Sequence, residues 1–139
     1  MKLINLLLLF LLSILLLSGC SENAKNIQKF LLTKENVHVY IEKQKLIVGN
    51  EEENAAAHFN LARSYFFIKE YDSAENHARR ATRFDPLNAD YYELLGSLAF
   101  VLERYGDAVT EFATAVRISP ERVSSYLKLG ATYEKINDD

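Results

Sequence analysis

The 139-residue sequence contains no tryptophan, one cysteine, one methionine, two prolines and five glycines. A single cysteine excludes an internal disulfide and any metal cluster built on paired thiolates. The glycines, at positions 19, 49, 96, 106 and 130, are too scattered to make a phosphate-cradling loop. Charge of one sign does not accumulate either: 16 Lys and Arg stand against 19 Asp and Glu, a net −3. A nucleic-acid binder needs a concentrated basic face, so no nucleic-acid partner is expected. The three histidines, His38, His58 and His77, form no i, i+4 pair and stand in no metal motif, so no metal is expected. His58 falls on the apolar stripe of its helix and is expected to pack, whereas His77 is expected at the surface. There is no G-x-S-x-G elbow. Glu51-Glu52-Glu53 reads as the solvated start of a helix, where carboxylates favour the helix dipole, and not as a buried acid–base pair. The chain is therefore read as a non-enzyme, with no catalytic residue assigned.

Polar residues are scarce in one stretch. Leu3–Leu17 is apolar apart from Asn5 and Ser13, follows the single positive charge of Lys2, and ends in the small residues Ser18 and Gly19. That is the anatomy of a secretory signal, and it is short of the about 20 apolar residues of a spanning helix. Cleavage after Gly19 leaves 120 residues, enough for one modest domain. The lone thiol then has three readings: a core residue, a nucleophile or a lipid-attachment site. A nucleophile needs a neighbouring base to form thiolate, and a chain terminus supplies no pocket for one. Leu17-Ser18-Gly19-Cys20 resembles the bacterial lipobox. The resemblance implies a signal peptide over 1–19, a covalent lipid on Cys20 with no other cofactor, and a tether over 20–33. Two or more acyl chains hold a protein stably to a bilayer, where one does so only marginally. Ser21 stands where the inner-membrane retention signal has Asp, which implies the outer membrane, on its periplasmic side. The alternative is an ordinary signal peptide with a chance cysteine.

The rest of the chain repeats. Shifted by 34 residues, Ala55 coincides with Ala89, Leu61 with Leu95, Phe66 with Phe100 and Tyr71 with Tyr105. Ala74 then meets Ala108, Ala81 meets Ala115, Arg83 meets Arg117 and Pro86 meets Pro120. Tyr92, Leu95 and Gly96 recur once more as Tyr126, Leu129 and Gly130. This period and these residue types resemble the tetratricopeptide repeat, a pair of antiparallel helices. The resemblance implies an all-α solenoid: a degenerate half repeat over 34–54, full repeats over 55–88 and 89–122, and the first helix of a third over 123–139.

The residues support the same division. His58, Leu61, Ala62 and Tyr65 follow the i, i+3, i+4, i+7 rule, as do Tyr71, Ala74, Ala78 and Ala81, and Lys69-Glu70 separates the two stripes. Small side chains at Ala62, Gly96 and Gly130 are expected to let paired helices approach, opposite Ala74 or Ala108. Pro86 and Pro120 stop each second helix. Lys34–Val48 reads as a further helix, with Val37, Tyr40, Ile41, Ile47 and Val48 on one side and Gly49 as its stop. Asn26–Leu32 reads more weakly as its partner. Gly130 and Tyr133 mark an open C-terminal edge, since they are the residues that would receive a second helix.

The resemblance also implies a groove lined by first helices. Its positions here are Phe59, Arg63, Phe66 and Phe67, then Glu93, Ser97, Phe100 and Val101, then Leu127, Ala131, Glu134 and Lys135, with Lys128 beside them. An aromatic line with an arginine suits a peptide anchor; alternatively, Phe59 and Phe67 pack under the N-terminal helix. The lysine and asparagine pattern that clamps a partner's terminal carboxylate is missing, since Phe59, Arg63, Leu94 and Ser124 replace it and only Lys128 fits in charge. The implied function is a membrane-anchored adaptor for an envelope protein or peptide, by analogy in the assembly of a secretin, a type IV pilus or another outer-membrane complex. Its rivals are a homodimeric tether joined through the C-terminal edge, and the front part of a longer repeat protein.

Overall fold

The computed structural model describes residues 36–138, all within the second of two compact units, Lys34–Asp139. The proposed signal peptide, Cys20, the tether and the weak helix over 26–32 lie outside the described residues. Six helices follow in order: α1 (Val37–Asn50), α2 (Ala55–Phe67), α3 (Tyr71–Phe84), α4 (Ala89–Val101), α5 (Tyr105–Ile118) and α6 (Val123–Asp138). No strand occurs among the described residues. The bounds of α2 and α3 become those of α4 and α5 on adding 34, so the repeat in sequence is a repeat in backbone.

Local chemistry sets those bounds. Asn54 and Asn88, 34 apart, each cap a first helix: Asn54 accepts from the Ala57 amide and Asn88 from the Asp90 amide. Helices α2 and α4 both end in the same left-handed turn. Lys69 and Glu103 hold φ of 65° and 59°. The next amide reaches back five residues, Glu70 to the Tyr65 carbonyl and Arg104 to that of Ala99, both at 2.9 Å. These paired bonds form a Schellman motif, usually built on glycine because a Cβ crowds the left-handed region. At the third cap position stands Arg122, which spends its side chain elsewhere.

Two expectations are corrected near the N-terminus. α1 runs through Gly49 and stops at Glu51, whose backbone leaves the helical region while its amide still bonds to the Ile47 carbonyl at 2.8 Å. Its buried residues are Val37, Ile41 and Gln44, while Ile47 and Val48 are only half-buried. Glu51–Glu53 is not a helix start: these residues form the exposed α1–α2 linker, and the first turn of α2 holds no acid. Asn54 displaces them from that role by capping α2, and its side-chain amide donates to Glu51 at 2.7 Å.

The core lies between the helices of each pair and between successive pairs. Ala62, Ala74, Ala78, Leu94, Leu95 and Leu98 form one buried cluster, with Phe59, Tyr65, Phe66 and Tyr71 packed against it. Ala99, Ala108 and Phe112 form another, against which Phe100 and Leu129 pack. The expectation that Gly96 serves an approach to Ala108 is corrected by the Phe112 ring. A Cβ on Gly96 would lie 2.6 Å from two ring carbons of Phe112, so the missing side chain makes room for an aromatic. In the preceding repeat the same two positions hold Ala62 and Ala78, both fully buried. Gly130, one repeat later, has no neighbour within 4 Å of such a Cβ.

Candidate protein-interaction surface

The first helices α2, α4 and α6 lie side by side and touch along the row. On the other side, long side chains bridge α3 to the second repeat. Arg104 donates to Glu75 at 2.7 Å, and Arg79 stands 4.0 Å from Glu111. The first helices therefore share one continuous face, which carries the groove positions.

The groove residues divide into two kinds. Phe59 packs at a tilt against Tyr91 of α4, with ring centroids 4.8 Å apart and the Arg63 guanidinium 5.7 Å from its centroid. Phe66 leans on Tyr71 at 5.9 Å, and Phe100 meets Tyr105 edge-on at 5.5 Å. These aromatics join successive elements. Phe59 packs toward the following repeat, where the alternative reading placed it under the N-terminal helix. Phe67, Val101 and Leu127 stay open, at 43%, 44% and 69% exposure. Phe67 and Val101 occupy equivalent places, so an exposed apolar row runs from the first repeat into the second. Beside it, Ser97, Phe100, Val101, Phe112, Lys128 and Ala131 line a shallow notch of about 220 Å³, below the range of small-molecule sites.

Glu93 is the polar centre of this face. Lys128 donates to one carboxylate oxygen; Arg122 (3.3 Å), Ser124 (3.2 Å) and Ser125 (3.2 Å) donate to the other. Arg122 also pairs with Asp90, and Lys128 with Ser97 at 3.4 Å. Burial raises the Glu93 carboxyl, but Lys128 and Arg122 outweigh it and hold its pKa below the usual range. The network ties α6 to α4 and engages Lys128, the one groove residue whose charge fits a carboxylate clamp. At the far edge Gly130 is exposed and Tyr133 is half open, at 50%.

Sequence reasoning missed the pairing of His58 with His77. His58 is fully buried, and the two Nδ1 atoms lie 2.9 Å apart. His77 is half-buried rather than at the surface, because it stands three residues after Ala74 on the stripe that faces α2. That spacing was the available signal. Burial, then His58, Arg80 and Lys45, lower the His77 pKa to about 4. Among the described residues no three His, Cys, Asp or Glu side chains converge on a metal position, and no helix is long and apolar enough to cross a membrane.

Comparison with known proteins agrees with this geometry. No curated protein matches the chain by sequence. Among solved structures, a crystal structure of MamA superposes with a TM-score of 0.70 at 21% identity, over 75% of this chain and 61% of that one. A second MamA structure is covered over 56% of its length, so the chain spans about three fifths of these relatives. The Arabidopsis OM64 TPR domain superposes with a TM-score of 0.70 at 18% identity, covering 73% of this chain and 84% of that one. The first TPR of Spaghetti (RPAP3), bound to an HSP90 peptide, gives 0.68 at 18%, covering 75% and 90%. Residues 59–123 match the Tetratricopeptide repeat family. The described residues form an all-α helical-repeat solenoid, the fold of these tetratricopeptide structures.

Proposed function

We propose that this protein is a lipid-anchored adaptor of the bacterial envelope, held by Cys20 and binding a protein partner on the first-helix face. The observation that carries the binding half is the open row of Phe67 and Val101 beside aromatics already engaged in packing. Exposed apolar side chains backed by a rigid core are the usual anchors of an interface. The anchoring half rests on Leu17-Ser18-Gly19-Cys20 after the apolar run, and outer-membrane placement rests on Ser21. Within the class, assembly of a secretin, type IV pilus or other outer-membrane complex is the role we favour. A peptide gripped through its terminal carboxylate fits poorly, since Glu93 already holds Lys128.

Co-purification from detergent-solubilised native membranes tests both halves. Wild type is expected to retain a partner that Phe67→Glu loses, with helical content and melting unchanged. Cys20→Ala is expected to leave the membrane fraction. A partner retained by Phe67→Glu but lost with Gly130→Arg moves binding to the C-terminal edge. Self-association without any other partner would favour the homodimeric tether, and a Cys20→Ala protein still in the membrane would refute the anchor.

A further inference from the structure

We propose that His58 and His77 form a proton-operated latch on the first helix pair, closed when both imidazoles are neutral and opened by acid. The inference is independent of which partner the protein binds. His58 Nε2 lies 3.0 Å from the Glu52 carbonyl oxygen. A carbonyl only accepts, so Nε2 carries the hydrogen, and the Nδ1 of a neutral His58 is left as an acceptor. His77 Nδ1, 2.9 Å away, must then be the donor. Both tautomers are fixed by geometry, and one chain of bonds joins the α1–α2 linker to α2 and α2 to α3.

Protons affect this chain in two steps. The first can enter at His77 Nε2, which takes no part in it. The second has to enter at His58 Nδ1 and sets one N–H against another, which breaks the link between α2 and α3. The surroundings oppose both steps. Lys45 of α1 and Arg80 of α3 place positive charge near the pair, while the hydrogen bond to the Glu52 carbonyl and, less strongly, the Glu52 charge act on His58 in the other direction. Tyr65 of α2 stacks on His77 and Phe84 of α3 on His58, each with centroids 5.6 Å apart. Asp72, Ser73 and Asn76 of α3 share with Tyr65 and His77 an open pocket of about 320 Å³, a path for water to the outer ring. Burial is the first cause lowering the pKa of each histidine. The second repeat has Tyr92 and Glu111 at the corresponding positions, so it lacks the latch, and its shifted carboxyls, Glu93 lowered by its cationic partners and Glu111 raised by burial, act in opposite directions as pH falls.

Hydrogen–deuterium exchange of the full chain between pH 7 and 4, corrected for intrinsic exchange, tests the proposal in peptides from 55–84 and 89–118. The folded pKa of about 4 for His77 lies below the 6.5 of a free imidazole. Stability is therefore lost as pH falls through that interval, while the unfolded state gains the proton first. Protection of 55–84 is expected to fall at least about tenfold relative to 89–118. His77→Gln can still donate to His58 Nδ1 but cannot take a proton in this range, so it removes the His77 contribution and should lose less protection than wild type. Equal loss in both segments, or the same loss in His77→Gln, overturns the latch. Should that variant not fold, imidazole ¹⁵N spectra of wild type at pH 7 decide. Hydrogens on His58 Nε2 and His77 Nδ1 are expected, and a charged ring or the reverse tautomers would overturn the proposal.

Discussion

The first and second repeats have the same helix bounds but fill the space between their helices differently. The first places two alanines, Ala62 and Ala78, where the second places Gly96 and the Phe112 ring. The junctions differ as well. Leu94 of α4 enters the apolar cluster, while its counterpart in α6, Lys128, lies 5.9 Å from the Phe112 ring centroid and bonds to Glu93. The lesson is that one backbone repeat accepts different side-chain pairs at the same contact, provided a large partner is met by a position with no Cβ, as the Phe112 ring is at Gly96. The polar network at Lys128 then tilts the second junction toward hydrogen bonding, and the notch beside it remains.

The largest expected effect tests this volume exchange. Phe112→Ala removes a buried ring and should cost about 3–5 kcal/mol in urea or thermal unfolding. Gly96→Ala forces a Cβ against that ring and should cost about 1–3 kcal/mol through overpacking. The double variant Gly96→Ala, Phe112→Ala copies the alanine pair of the first repeat. It should therefore be more stable than the sum of the two single losses, and simple additivity would refute the complementarity.

Next in size is Glu93→Ala, which leaves Arg122 and Lys128 with fewer partners and should cost about 1–3 kcal/mol. Because the folded pKa of Glu93 is depressed, its contribution is present above the unfolded carboxylate pKa and lost as pH falls through the folded value. An acid titration of Glu93→Gln beside wild type checks that sign: the variant should lose less stability over the carboxylate range.

The smallest effect concerns the two left-handed turns. Lys69→Gly and Glu103→Gly relieve the Cβ at φ of 65° and 59°. Each should gain about 0.5–1 kcal/mol, since the relief exceeds glycine's entropic cost at such a position. Equal gains in both turns would support the equivalence of the repeats, whereas unequal gains would show that Arg104 and its bond to Glu75 bear on the second turn.

Much of the fold was legible in the sequence, because a 34-residue period joins pattern and backbone directly. Ala74, Ala78 and Ala81 were read as a buried stripe, and each is fully buried. What was not legible depended on contacts between helices. The ring against Gly96 comes from a helix whose matching position in the first repeat holds alanine, so the period concealed the exchange. The ends of α1 escaped because a lone glycine is a weak stop when the backbone beyond it can remain helical. On the groove face, sequence position could name the residues but could not separate Phe59 and Phe66, engaged by Tyr91 and Tyr71, from the open Phe67. His77 was readable from its spacing to Ala74, though its partner 19 residues away was not.

The most direct test of the central claim, that the first-helix face takes a protein partner, is site-specific photocrosslinking in intact cells. A photoreactive residue would replace Phe67 or Val101 on that face, or the exposed Arg83 or Arg117 on the second helices. The account predicts that positions 67 and 101 capture the same partner and that 83 and 117 do not. Capture of that partner from 83 and 117 alone, with none from 67 and 101, would contradict it.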